Sequence, residues 1–113
     1  MVRASGTAPD RGDIVWIDFN PQLGHEQRGR RPALAISPKA YNEKIGLALF
    51  CPITSLVKGY PFEVHVQGGK IAGSVLCDQV KSLDWTVRNT EFIETLDDAR
   101  LIEVLEKIKT LID

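Results

Sequence analysis

At 113 residues the chain has room for one domain with a modest core, and no apolar run approaches the ~20 residues that a membrane-spanning helix needs. A composition of 43% hydrophobic and 26% charged residues is ordinary for a soluble globular protein. The net charge of −1 argues against a general polyanion binder, yet residues 25–81 hold eight Lys/Arg against four Asp/Glu and residues 82–113 the reverse, balances of +4 and −4. A basic middle can hold an anionic polymer locally while the acidic end cancels it in the sum. No apolar signal core is found at the N-terminus. Cys51 and Cys77 each sit in an apolar stretch, as small buried hydrophobes do, so a reducing cytoplasm is the expected setting.

Residues 1–11 are small and polar, with Pro and Gly among them, and read as a flexible tail before a single domain over 12–113. Asp13 to Phe19 is β-branched and aromatic, a strand that Asn20-Pro21 stops. A glycine-punctuated, charged loop runs to Arg31. Pro32 to Ile36 is the next strand, with a proline expected only as its first residue because it lacks an N–H. Lys39 to Lys44 is a turn or short helical piece, and Gly46 to Ile53 is an unbroken apolar run that suits a central strand. Thr54 to Tyr60 is a loop, Phe62 to Val66 alternates as a half-buried strand, and Gly68-Gly69 is a turn. Ser74 to Leu83 reads as a strand bent near Asp78-Gln79. Finally Leu101, Val104, Leu105, Ile108, Leu111 and Ile112 recur at helical spacing, with Thr95 and Asp98 as an expected capping box. The pattern predicts a mainly β, α+β domain: five or more short strands curled into a small barrel and covered by one amphipathic C-terminal helix.

The sequence lacks Cys-x-x-Cys, His-Glu-x-x-His, a Gly-Lys-Ser/Thr phosphate loop and Gly-x-Gly-x-x-Gly, and His25 and His65 stand far apart. No metal and no cofactor are expected, so any catalysis must run on side chains. The charged loop, Gly24-His25-Glu26-Gln27-Arg28-Gly29-Arg30-Arg31-Pro32, suits one reaction: cleavage of RNA by its own 2′-hydroxyl. A base takes the hydroxyl proton, a cation neutralises charge growing on the phosphate, and an acid protonates the departing 5′-oxygen. Arg31 suits the clamp or the acid, Glu26 or His25 the base, and Thr54 a hydroxyl donor to a phosphate oxygen. Each has a blander reading. Arg31 is then a surface arginine, Glu26 an exposed partner of Arg28 or Arg30, and Thr54 the start of a turn. Trp16 and Trp85 can stack on bases or pack in a core or an oligomer interface.

Ordered blocks go further than these single residues. They are Gly12 to Pro21, Gly24-His25-Glu26-Gln27, Arg31-Pro32, Ser37-Pro38, Tyr41-Asn42, Pro52 to Ser55, Lys58 to Val64 and Asp78 to Trp85. On these the chain resembles the MazF/PemK family of toxin endoribonucleases (mRNA interferases), in its MazF branch, from about Arg11 to the last helix. The resemblance implies an SH3-like barrel, a homodimer, and metal-independent cutting of single-stranded mRNA at short motifs, leaving 2′,3′-cyclic phosphate and 5′-hydroxyl ends. It marks Arg31, Thr54 and Glu26 as catalytic. Substrate contacts would fall to His25, Gln27, Arg28, Trp16, Gln79 and Lys81. His25 stands where relatives often carry a small hydroxyl residue. The implied partner is a MazE-like antitoxin with a disordered acidic tail, through which alone the protein would meet DNA. A CcdB-like toxin that binds gyrase and cuts nothing is the alternative, and an inert barrel-type interaction module is a third.

Overall fold

The computed structural model describes residues 7–19 and 29–113. Among them the elements run β1 (Asp13–Asp18), β2 (Arg30–Ala35), α1 (Lys39–Ile45), β3 (Ala48–Thr54), β4 (Glu63–Val66), β5 (Gly73–Leu76), β6 (Lys81–Leu83), β7 (Glu91–Thr95) and α2 (Asp98–Ile112). All strand pairs are antiparallel, in the order β4-β5-β3-β2-β1-β7, with β6 also on β3. The result is a curled half-barrel with a C-terminal helix, as the sequence predicts. No described helix is long and apolar enough to cross a membrane.

Side-chain alternation splits the interior between the two faces of this sheet. Ile14, Leu34, Cys51, Ile53, Val64 and Val75 form one core, against Val104 of α2 and its neighbours Leu101, Leu105 and Ile108. Val15, Ile17, Ala33, Ala35, Phe50, Leu83 and Trp85 form the other. Both cysteines are fully buried free thiols, and burial pushes Cys51 up to about 12 and Cys77 up to about 11, so neither offers a thiolate.

β3 is the strand that shapes the functional surface. On one side it pairs with β2; on the other it pairs first with β6, from Ala48↔Leu83 to Phe50↔Lys81, and then with β5, at Ile53↔Val75 and Thr54↔Ser74. Ile36 donates its N–H to the Leu49 carbonyl, so alternation turns the backbone groups of Pro52 away from β2 and into the gap between β6 and β5. A proline there breaks no ladder bond. The same logic corrects the expectation for Pro32, which is the third residue of β2 and lies opposite Trp16. Ala35 accepts from Gly12 on the β1 side, so Pro32 faces β3, beyond the last β2–β3 pair at Ala33↔Pro52.

Three further expectations are corrected. Residues 7–11 are not loose: Ala8 is 2% exposed, the Pro9 carbonyl accepts from Asn42 Nδ2 at 2.8 Å, and Asp10 Oδ1 accepts from Lys39 N. β7 is a strand the sequence reading lacked; it pairs with β1 through Asp13↔Thr95. Thr95 therefore ends a strand, and the α2 cap is Asp97, whose carboxylate accepts from Arg100 N and pairs with Arg100 Nη1 at 2.9 Å. Those hydrogen bonds lower its ionisation below the usual carboxylate range.

The Ser37-Pro38 and Asn42 blocks have a structural reason. Asn42 is completely buried; its amide donates to the Pro9 and Ser37 carbonyls, its side-chain oxygen accepts from Ser37 Oγ, and its own carbonyl takes the Trp85 indole N–H. Ser37 Oγ also accepts from Leu49 N at 2.9 Å. Ser37→Ala strands two buried polar groups at once, which costs about 2 kcal/mol. A denaturant midpoint equal to that of the parent would show that water replaces both bonds.

Candidate functional site

Where β3 changes partner from β6 to β5, the sheet opens into a cavity of about 400 Å³. It is lined by Phe19, Arg31, Pro52, Ile53, Thr54, Leu76, Gln79, Lys81 and Leu83. Register explains the company. Continuing the β2–β3 pairing beyond Ala33↔Pro52 sets Arg31 across from Thr54 on one face, and Lys81, opposite Phe50, shares that face. Gln79 comes from the connection between β5 and β6, where its N–H donates to the Leu76 carbonyl. Phe19 is fixed from behind, because Arg88 Nη1 donates to the carbonyls of Asp18 and Phe19.

Two adjacent arginines have opposite roles. Arg30 donates to Glu91 Oε1 at 2.7 Å and to the Asn89 carbonyl, with Asp18 nearby, so it ties β2 to the β7 side. Arg31 is exposed, and its guanidinium has no hydrogen bond or ion pair to any described residue. Its planar fork of donors is therefore available for an anion in the cavity. Thr54 Oγ1 accepts from Leu56 N at 3.1 Å, which steadies the hydroxyl and leaves its proton to donate. Thr54 thus starts a turn and faces the cavity as well.

The 55–61 loop beside it is pinned at two points. The Glu63 carboxylate accepts from Lys58 N and Gly59 N, the latter at 2.8 Å, and Tyr60 Oη donates to Asp78 Oδ1 at 2.7 Å. The Asp78 carboxylate pushes Tyr60 up to about 12, so the phenol stays a donor. Between this loop, Thr54 and Gln79 lies a smaller cavity of about 160 Å³ that Lys58 also lines. Arg31 further borders a cavity of about 430 Å³ with Trp16, Pro32, Ser55, Lys70 and Ile71.

Five of the nine predicted site residues therefore meet around these adjoining cavities: Arg31, Thr54, Gln79 and Lys81 in one, and Trp16 beside Arg31 in the next. His25, Glu26, Gln27 and Arg28 lie outside the described residues. Trp85 does not join the site; it is 9% exposed, with its indole N–H committed to the Asn42 carbonyl. Phe19, Leu76 and Lys70 are lining residues that sequence reasoning missed, and only Lys70 carried a signal, as a cation on a glycine turn. The central cations Arg31, Lys58, Lys70 and Lys81 gather at these cavities, whereas Glu103 and Glu106 of the acidic end line a separate groove beside Pro61 and Phe62.

Residues 10–112 match the family described as PemK-like, MazF-like toxin of type II toxin-antitoxin system. The chain belongs to this toxin family. The endoribonuclease toxin MazF of Escherichia coli K12 is 45% identical, over 92% of this chain and 94% of that protein. The crystal structure of MazF (Form-I) from Deinococcus radiodurans superposes with a TM-score of 0.84 at 48% identity, covering 93% of this chain and 96% of that one. A MazE-MazF complex (Form-II) from the same organism gives 0.83 at 42% identity, covering 93% and 95%. These solved MazF structures share the curled sheet on which the Arg31 cavity is built.

Proposed function

We propose that the chain is the toxin of a type II toxin-antitoxin pair and a metal-independent endoribonuclease that cuts single-stranded mRNA at short sequences. The observation that carries this reading is the meeting of Arg31, Thr54, Gln79 and Lys81 in one cavity, with Arg31 unclaimed by any described residue. Relatives named endoribonuclease over nearly the whole chain support it. A pure gyrase binder has no need of a guanidinium, without a partner among the described residues, lining one concave surface with a hydroxyl, so the CcdB-like alternative is not favoured.

In this reading Glu26 or His25 takes the 2′-hydroxyl proton and the oxygen attacks phosphorus. The bond to the 5′-oxygen breaks as that oxygen takes a proton from the acid of the set, Arg31 or the newly protonated base, leaving a 2′,3′-cyclic phosphate and a 5′-hydroxyl. Arg31 neutralises the charge that builds on the equatorial oxygens, and Thr54 donates to one of them. Gln27, Arg28, Gln79 and Lys81 hold flanking bases and phosphates. The attacking group restricts the enzyme to RNA. The working form is a cytoplasmic homodimer acting in the stress response. It is silenced by a MazE-like antitoxin whose acidic tail lies along the cations, and it meets DNA only through that complex.

Purified protein is expected to cleave a long defined RNA in excess EDTA, with the products carrying the two ends named above. The same RNA with one deoxyribose at a mapped cut position is expected to stay whole there. A 5′-phosphate end, or cleavage of the deoxyribose-containing bond, would refute attack by the 2′-oxygen.

A further inference from the structure

Arg31 stands between two cavities of nearly equal size, about 400 and 430 Å³, and a clamp on a phosphodiester has one nucleotide on either side of it. The first cavity holds Thr54 and Gln79. The second has an apolar wall of Trp16, Pro32 and Ile71, a hydroxyl from Ser55, and the cation Lys70, whose ammonium has no ion-pair partner among the described residues. An aromatic wall suits the face of a base, and a lysine at the rim suits its phosphate.

The Lys70 turn is also built to stay in place. From β7, across the sheet, the Glu94 carboxylate accepts the backbone N–H of Lys70 at 2.9 and 3.0 Å and that of Ile71 at 3.0 Å. Gly69 packs so closely on that carboxylate that a methyl group there would overlap it. A buttress of two charge-assisted hydrogen bonds on an otherwise exposed turn holds one wall of the second cavity at a fixed distance from Arg31.

Resting on the ribonuclease reading, we propose that the second cavity is the subsite for the nucleotide on the side of the cut away from Thr54 and Gln79. Its base lies against Trp16 and its phosphate on Lys70. Glu94 is a positioning residue that acts through the Lys70 turn and touches no substrate. This cavity then sets the base preference at one position next to the cut.

The test measures steady-state kinetics on a single-stranded RNA and maps every cut in a long RNA, for the parent and variants. Lys70→Ala is expected to raise KM about ten-fold, with kcat nearly kept, the usual scale for one lost charged contact. It should also flatten the dependence of log KM on log salt by about 0.7, the share of one phosphate on a single strand. Lys70→Arg restores both. Glu94→Ala reproduces the Lys70→Ala change, and Glu94→Gln keeps part of it because the amide oxygen still accepts. Trp16→Ala relaxes the base preference at a single position adjacent to the cut. Folded Lys70→Ala and Trp16→Ala proteins with the parent KM, salt slope and cut-site preference would overturn the subsite. So would variants that weaken only the binding of an acidic antitoxin peptide. A parent protein that cuts no RNA at all would instead defeat the ribonuclease reading, and the subsite with it.

Discussion

Arg31→Ala is expected to lower the single-turnover cleavage rate by at least ~10²-fold, with no change in thermal stability. The two halves of that expectation come from the same observation. A guanidinium with no partner among the described residues ties no described strand to another, so its removal leaves the described hydrogen bonds of the sheet intact. Among the described residues, what it faces is the cavity. In the reaction it faces a phosphate whose equatorial oxygens gain charge, and a fixed cation in a half-enclosed cavity stabilises that charge more than water does. Arg31→Lys keeps the charge and loses the planar fork, so an intermediate rate is expected. The neighbouring Arg30 supplies the contrast. Its ties to Glu91 and the Asn89 carbonyl make Arg30→Ala a small stability change, at most about 1 kcal/mol for a partly exposed pair, with the chemistry largely kept. Measuring both variants under single-turnover conditions separates the two roles. A folded Arg31→Ala protein that cuts at the parent rate would remove the guanidinium from the reaction.

The elements legible in the sequence are those whose signal is local. The β-branched run at Asp13, the unbroken apolar run into β3 and the apolar stripe of α2 each announce themselves within a few residues. β7 was missed because Glu91-Phe92-Ile93-Glu94-Thr95 is half-exposed on both faces and shows neither clean alternation nor an apolar run. The packing of residues 7–11 depends on the carboxamide of Asn42, more than thirty positions away in the chain, and composition cannot reveal that. Arg31 and Thr54 were legible as residue types. What places Lys81 and Gln79 beside them is the change of β3 partner at Pro52, and that is a property of pairing between distant segments. The two prolines show how a correct local rule misleads. Proline is excluded from a strand only where its missing N–H would face a paired neighbour, and both Pro32 and Pro52 face gaps.

Gly73→Ala is expected to cost both stability and rate, and the two losses have one cause. Gly73 begins β5 where that strand closes on the end of β3, and a methyl group there would overlap the Thr54 carbonyl oxygen, with the carbonyl carbon at 3.1 Å and Ile53 Cγ2 at 3.4 Å. The obstacle is backbone, so no rotamer change relieves it. Either β5 slides off β3 or the Thr54 peptide turns, and the Thr54↔Ser74 pairing fails in both cases. Overpacking of this kind costs about 1–3 kcal/mol. Because Thr54 lines the cavity across from Arg31, a shift of ~1 Å is enough to lower the rate by ~10²-fold. Gly46→Ala is the control. Gly46 caps α1 at a φ of +84° with nothing within 4 Å of a added methyl group, so alanine there strains the backbone by about 1–2 kcal/mol without touching the cavity. Comparable melting losses in the two variants, with cleavage impaired only in Gly73→Ala, would tie the rate to the position of Thr54. Equal rates in both would mean that the end of β3 can move without disturbing the reacting phosphate.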